Sequence, residues 1–277
     1  MPRWGFFVWP TLLIARRQQV TSKPIVVIKA GSKSLCGPKG GWRYKVIHSI
    51  VSQAVTLKAL GYDVIVVASG AIYHAKQKYG NGMDAQTYAS IGQPKLQQTW
   101  EKAFWRRHRL LVGQIQFADQ QLRGRSRHTV VNGLLKALRD GITPIVNSND
   151  AVSEEEIDAL PVLSDNDVLA SLLAINVQAE HLIMLTTVDG VLDPRTGELI
   201  SEMRYTERKI ESRLQEMPGE SNGGMKSKVK HGKRAARAGI DVYIASAKCP
   251  NVIVNTVLRN PQIGTHIIPK TAGNRRC

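Results

Sequence analysis

Short apolar runs recur along the chain, each followed at once by small and polar residues. Ile25–Ile28 is β-branched throughout, the pattern of a strand buried on both faces of a parallel sheet, and it leads directly into Lys29-Ala30-Gly31-Ser32. Val64–Ala68 repeats the pattern and ends in Ser69-Gly70-Ala71, and Leu111–Phe117, Ile142–Val146, His181–Thr187 and Asp241–Ala245 continue it. Between these runs the period changes to that of a helix. Ile47–Leu60 stops at Gly61, residues 86–109 are amphipathic, Thr129–Asp140 stops at Gly141, and Lys226–Ala238 forms a basic helix. Strand alternating with helix predicts an α/β fold with a mainly parallel central sheet sandwiched between helices.

The first 22 residues stand apart. They contain no acidic residue, and their apolar stretch Trp4–Ala15 is interrupted by Pro10 and too short to span a bilayer. A disordered tail is the first expectation, and a mitochondrial targeting segment built on Arg3, Arg16 and Arg17 is the second. From residue 23 to residue 277 a single domain is expected.

Composition narrows the function classes. The mean hydropathy of −0.19 and 43% hydrophobic residues describe a soluble chain without a membrane segment. Cys36, Cys249 and Cys277 share no metal-ligand spacing, so reduced thiols of a cytoplasmic protein are expected, and no metal-ligating residue is assigned. A net charge of +16 draws anions. There is no Cys/His finger and no aromatic RNA-binding box, which argues against a specific nucleic-acid partner and for a small anionic substrate or nucleotide.

Against that basic background, residues 150–167 gather Asp150, Glu154, Glu155, Glu156, Asp158, Asp165 and Asp167, although the whole chain has only 22 acidic residues to 38 basic ones. Ser164 occupies an N-cap position, and Asp167 follows as the reaching-back carboxylate of a capping box. The surplus of acids beyond capping suggests a site handling a cation, either Mg²⁺ or a substrate ammonium. Anion chemistry is expected elsewhere. Gly31 lets backbone donors approach a phosphate beside Lys29, and Gly223-Gly224 open the basic helix that carries Met225 and Lys228 in its first turn. A lysine at the positive end of a helix dipole is unfavourable unless an anion is bound there. The P-loop pattern is absent, Ser69 lacks the context of a nucleophile elbow, and the match of Gly80–Ala85 to a dinucleotide fingerprint has no preceding strand.

Taken in order, VVIKAGS, VVASGAI, GQPKLQQTWEKAF, PIVNSNDAV, LSDNDVLASLLA, LTTVDGV, NGGMKSK and RAGIDVYIA resemble the amino acid kinase family over roughly residues 24–265, most closely its members that phosphorylate glutamate. The resemblance implies an acceptor-binding half over about 23–175 and a nucleotide-binding half over about 176–270, with neither a PUA nor a reductase domain. It implies ATP-dependent phosphorylation of the glutamate γ-carboxylate with Mg²⁺, in the first step of proline synthesis. Lys29 and Lys228 match the lysines that neutralise the transferring phosphoryl group, and Asp165 matches the aspartate that orients them. Ser69, Gly70, Ala71, Asp150 and Asn166 match acceptor positions. Gly31, Ser32, Thr186, Thr187, Asp189, Gly223, Gly224 and Met225 match nucleotide positions, Thr187 standing where the family usually has aspartate. A homodimer or homotetramer is implied as well, and proline feedback is expected to act through the acidic loop Ser153–Leu160. Two alternatives share the fold: a kinase of another acceptor such as aspartate, UMP or an isoprenoid phosphate, and a non-catalytic binding relative.

Overall fold

The computed structural model describes residues 23–151, 165–214, 224–259 and 263–270. In chain order its elements are β1 (Ile25–Ala30), α1 (Ser32–Leu35), α2 (Tyr44–Ala59), β2 (Asp63–Ala68), α3 (Ala71–Tyr79), α4 (Ala85–His108), β3 (Val112–Gln116), a 3-10 turn at Asp119–Leu122, α5 (Arg127–Arg139), β4 (Thr143–Asn147), α6 (Asn166–Asn176), β5 (His181–Thr186), β6 (Glu202–Arg204), α7 (Lys209–Leu214), α8 (Met225–Arg237), β7 (Asp241–Ser246), α9 (Val252–Val257) and β8 (Thr265–Ile268).

The strands form one sheet in the order β3-β4-β2-β1-β5-β7-β8-β6. All neighbouring pairs are parallel except β7 with β8. From β1 the chain steps outward to β2, places β3 at the edge and returns with β4 between β3 and β2, then crosses to the other side of β1 for β5 and β7. The reversal of direction at β1 opens a crevice beyond the carboxyl ends of β1 and β5, where open α/β sheets bind ligands.

Strand periodicity sorts the core into two layers. Ile25 and Val27 of β1, Ile65 and Val67 of β2, and Leu182 and Met184 of β5 pack with Leu134, Leu169, Leu173 and Val229 on the α5–α6–α8 face. Val26 and Ile28, Val64 and Val66, and Ile183 and Leu185 pack with Ile47, Ile50, Leu96, Trp100 and Phe104 on the α2–α4 face. Both faces of the central strands are therefore dry, which is why these strands read as unbroken apolar runs.

Several elements escape the hydrophobic pattern, among them α1, α3, α7, β6, β8 and α9. β6 and β8 are three and four residues long, and α9 spans six, too short for a period to show. β8 adds antiparallel to β7, so the sheet continues past the strand that the sequence alone makes the last. No helix among the described residues is long and apolar enough to cross a membrane. Cys36 and Cys249 are free thiols; burial pushes the Cys36 thiol up to about 12, against a small opposing pull from Arg43, leaving it protonated.

Candidate active site

Lys29 continues the alternation of Ile25 and Val27, so its side chain leaves β1 on the α6–α8 face. There its ammonium stands 2.5 Å from Asp167 Oδ1. The other oxygen of the same carboxylate accepts from Lys228 Nζ at 3.1 Å. Asp167 is fully buried, and Lys29 and Lys228 are only 4% and 7% exposed, so three charges share a nearly dry pocket. The helices can approach closely there because α6 turns small residues, Ala170, Ser171 and Ala174, along the same face as Asp167. The Ser171 hydroxyl donates to the His231 carbonyl of α8 at 2.8 Å, which fixes the register that sets Lys228, one turn earlier, opposite Asp167.

The electrostatics are those of a pocket with one positive charge in excess. Burial alone would raise the Asp167 carboxyl, but the two neighbouring ammonium groups outweigh it and hold the carboxyl below the usual carboxylate range. Lys228 is lowered, first by burial and then by the charge of Lys29, with Asp167 opposing. A bound anion would relieve that strain. Gly31 keeps the approach open: a Cβ at this position would stand 3.4 Å from Lys29 Nζ. At the other wall, α8 begins at Gly224, which supplies no side-chain cap to the helix's first N–H groups.

Asp165 has a different task from the one its motif suggests. It is the N-cap of α6, accepting the Asp167 N–H at 2.9 Å, and its second oxygen accepts the Ser227 hydroxyl of α8. The sequence assigned Asp165 to orienting the lysines and Asp167 to capping; the structure exchanges the two. A cap must point back at its own helix's N–H groups, and Asp165 does so, whereas Asp167 lies on the stripe that faces α8, where it also meets Lys29 of β1. That stripe, an aspartate followed by small residues three, four and seven positions on, was the available signal. Ser164 lies outside the described residues, as do Gly223, Glu154, Glu155, Glu156, Asp158 and the rest of the loop expected to answer to proline.

The second wall of the crevice comes from β2 and β4. Ser69 follows β2 and donates its backbone N–H to the Ala30 carbonyl at 3.0 Å. Gly70 turns with φ 109°, a conformation that favours glycine, and starts α3 at Ala71. Beyond β4, Asn147 Oδ1 accepts from the Ser148 N–H at 2.9 Å and from Asn166 Nδ2 at 3.0 Å. Gln93 of α4 braces this loop by donating to the Ser148 carbonyl at 3.2 Å. All four residues are buried, and among the described residues Ser148 Oγ and Asn166 Oδ1 have no hydrogen-bond partner. Asp150 follows, half-buried, at the start of the acidic stretch. Asn147, Ser148 and Gln93 were not identified from sequence: the first two sit at a strand's carboxyl end, a recognisable place, but Gln93 lies 55 positions from its partner with no local mark.

On the other side of β1, Thr186 ends β5 level with Ser246 of β7, and its carbonyl accepts the Ala247 N–H at 2.8 Å. Thr187 is half-buried beside it, and Asp189 is exposed. Ser32 opens α1, and Met225 opens α8. The described residues of the expected set thus follow the carboxyl ends of β1, β2, β4 and β5 or stand at the starts of α6 and α8, and Lys29 and Lys228 meet on Asp167.

A family model described as the amino acid kinase family matches residues 24–246. Proteins named glutamate 5-kinase from Aliivibrio salmonicida and Hydrogenovibrio crunogenus are 35% identical over 268 residues and 33% identical over 256. The alignments cover 90% and 88% of this chain, and 69% and 66% of those proteins, so the chain spans about two thirds of their length. Among solved structures, carbamate kinase from Giardia lamblia bound to AMP-PNP superimposes with a TM-score of 0.64 at 15% identity, covering 90% of this chain and 99% of that one. N-acetylglutamate synthase from Neisseria gonorrhoeae gives 0.63 at 16% identity, over 89% of this chain and 60% of that one. These two likenesses bear on the fold.

Proposed function

This chain belongs to the amino acid kinase family, and from that premise we propose that it is an ATP-dependent glutamate 5-kinase, moving the γ-phosphoryl group of ATP to the γ-carboxylate of L-glutamate. The observation that carries the chemistry is the pair of buried lysines clamped on Asp167 at the floor of the crevice.

A carboxylate nucleophile is already ionised at neutral pH, so the transfer needs no general base. What it needs is in-line positioning and positive charge around the moving phosphoryl group. Lys29 and Lys228 approach from two sides, and Asp167 holds both ammoniums in place while leaving one net positive charge for the phosphate. The first N–H groups of α8 and the backbone around Gly31 and Ser32 add donors without adding side-chain bulk. Thr186, Thr187 and Asp189 border the nucleotide side.

Acceptor recognition falls to the opposite wall. Ser69, Gly70, Ala71, Asn166 and the Ser148 hydroxyl offer hydrogen bonds to carboxylates, and Asp150 offers a charge for the substrate ammonium. An acceptor carrying a phosphate would call for cations on this wall, which instead presents amides and hydroxyls. Among the described residues no three His, Cys, Asp or Glu converge on one point. Mg²⁺ fits this site as a companion of the ATP phosphates, since it is usually held by phosphate oxygens and water with one or two carboxylates. When bound, it would neutralise phosphate charge that the lysines leave uncovered.

An ATP-dependent hydroxamate assay tests the proposal, with glutamate, aspartate and N-acetylglutamate offered in turn beside hydroxylamine, which traps an acyl phosphate. A signal with glutamate alone is expected. A signal only with another acid would reassign the acceptor, and silence with all three from protein that still binds ATP would overturn the kinase reading.

A further inference from the structure

A cavity of about 680 Å³ lies away from the crevice, between α2, α3 and α4. Five cations line it: Lys78 from α3, and Lys95, Lys102, Arg106 and Arg107 from α4. No acidic side chain is among its lining residues. Concentrating like charge in a concavity is unfavourable, and low-dielectric walls focus the field. His48, at the start of α2 and also lining the cavity, registers that field: it is lowered first by burial and then by the charges of Arg107 and Arg106. The size falls within the range of small-molecule sites.

We propose that this cavity binds a small polyanion bearing phosphate groups and that its occupancy alters glutamate binding. The second part rests on the acceptor assignment above. Arg106 and Lys102, one helical turn apart on α4, present adjacent donors, and the Arg fork matches phosphate oxygens in pairs. The back wall of the cavity is the front wall of the acceptor turn. Trp42 and His74 line the cavity as a stacked pair with ring centroids 4.4 Å apart, and His74 Nδ1 lies 2.7 Å from the Gly40 carbonyl oxygen. The edge of the Trp42 ring stands 3.4 Å from where a side chain on Gly70 would begin. α4 in turn supplies Gln93 to the Ser148 loop. A polyanion that draws the cations of α3 and α4 together therefore presses on both sides of the acceptor wall.

The test is calorimetric titration of the whole chain with inorganic tripolyphosphate at low salt, the catalytic crevice being saturated with AMP-PNP and glutamate. One saturable site is expected. Lys102→Ala with Arg106→Ala should weaken it by at least about tenfold, two charge-assisted contacts being lost. Arg234→Ala with Arg237→Ala, which removes the same charge from the far end of α8, should change it by less than about twofold. Equal weakening in both pairs, or no saturable binding, overturns the site. For the coupling, tripolyphosphate should shift KM for glutamate by about fivefold in the parent chain and leave it unchanged in the Lys102/Arg106 variant. An unshifted KM in the parent overturns the regulatory role. Binding is read without turnover, so it succeeds or fails independently of which acid the enzyme phosphorylates.

Discussion

Asp167 is fully buried and touches both lysines, so its charge serves stability and chemistry together. Asp167→Asn leaves two ammoniums in a dry pocket without their counter-ion, a change that costs about 3–5 kcal/mol when one partner of a buried ion pair is removed. Under the proposed function, in which the lysines act on the transferring phosphoryl group, it should also lower kcat far more than it raises KM for glutamate. Asp165→Asn keeps an N-cap former and loses only a carboxylate toward Ser227, so about 1 kcal/mol or less is expected, with kcat largely preserved. Urea unfolding and steady-state kinetics on the two variants separate these roles. If the Asp165 variant is the inactive one and the Asp167 variant turns over normally, the exchange of tasks described above is wrong.

At the scale of elements, α4 packs against the Ser69–Ala71 turn that the proposed function assigns to the acceptor. A Cβ on Gly92 would stand 2.1 Å from the Ala71 carbonyl oxygen, and backbone cannot swing aside as a side-chain tip can. Gly92→Ala should cost about 1–3 kcal/mol by overpacking and raise KM for glutamate, since displacing Ala71 drags Ser69 and Gly70 with it. Gly133 is the matched control. It lies within α5, with open space where its Cβ would be, so Gly133→Ala should stabilise by about 0.5–1 kcal/mol through helix propensity and leave KM alone. A Gly92 variant with the parent's KM would detach α4 from acceptor binding.

For the molecule as a whole, the buried His181 and half-buried His231 set the acid side of the stability profile. His181 is held below its ordinary value first by burial, with Glu180 and Asp241 opposing, and His231 likewise first by burial, with Asp165 opposing. Below about pH 6.5 the unfolded chain takes up these protons and the folded chain does not. Stability is therefore full above that pH and declines as pH falls toward the depressed native values. The melting temperature should drop between pH 7 and pH 5, by about 2–4 °C for each kcal/mol lost in a chain of this size. His181→Gln should flatten that slope; an unchanged slope would remove His181 from the account. Asp167 acts in the same direction but only below about pH 4, because its native value is lowered from the carboxylate range.

The sequence by itself determined the parallel core of the fold and the places of Lys29 at a strand end and Lys228 at a helix start. A strand buried on both faces must be apolar at every position, so Ile25–Ile28 and Val64–Ala68 announce themselves, and Lys29 and Lys228 sit at the strand end and helix start that local pattern marks. Helix ends were legible for the same local reason, as Gly61 after α2 illustrates with φ 93°. The tertiary structure alone decided which aspartate holds the lysines, how Gln93 reaches Ser148, where β6 and β8 join the sheet, and that five cations on α3 and α4 converge. Each of these depends on which face of one element meets another. Local sequence encodes the period of an element, whereas its partner across the core is chosen by packing between segments tens of residues apart.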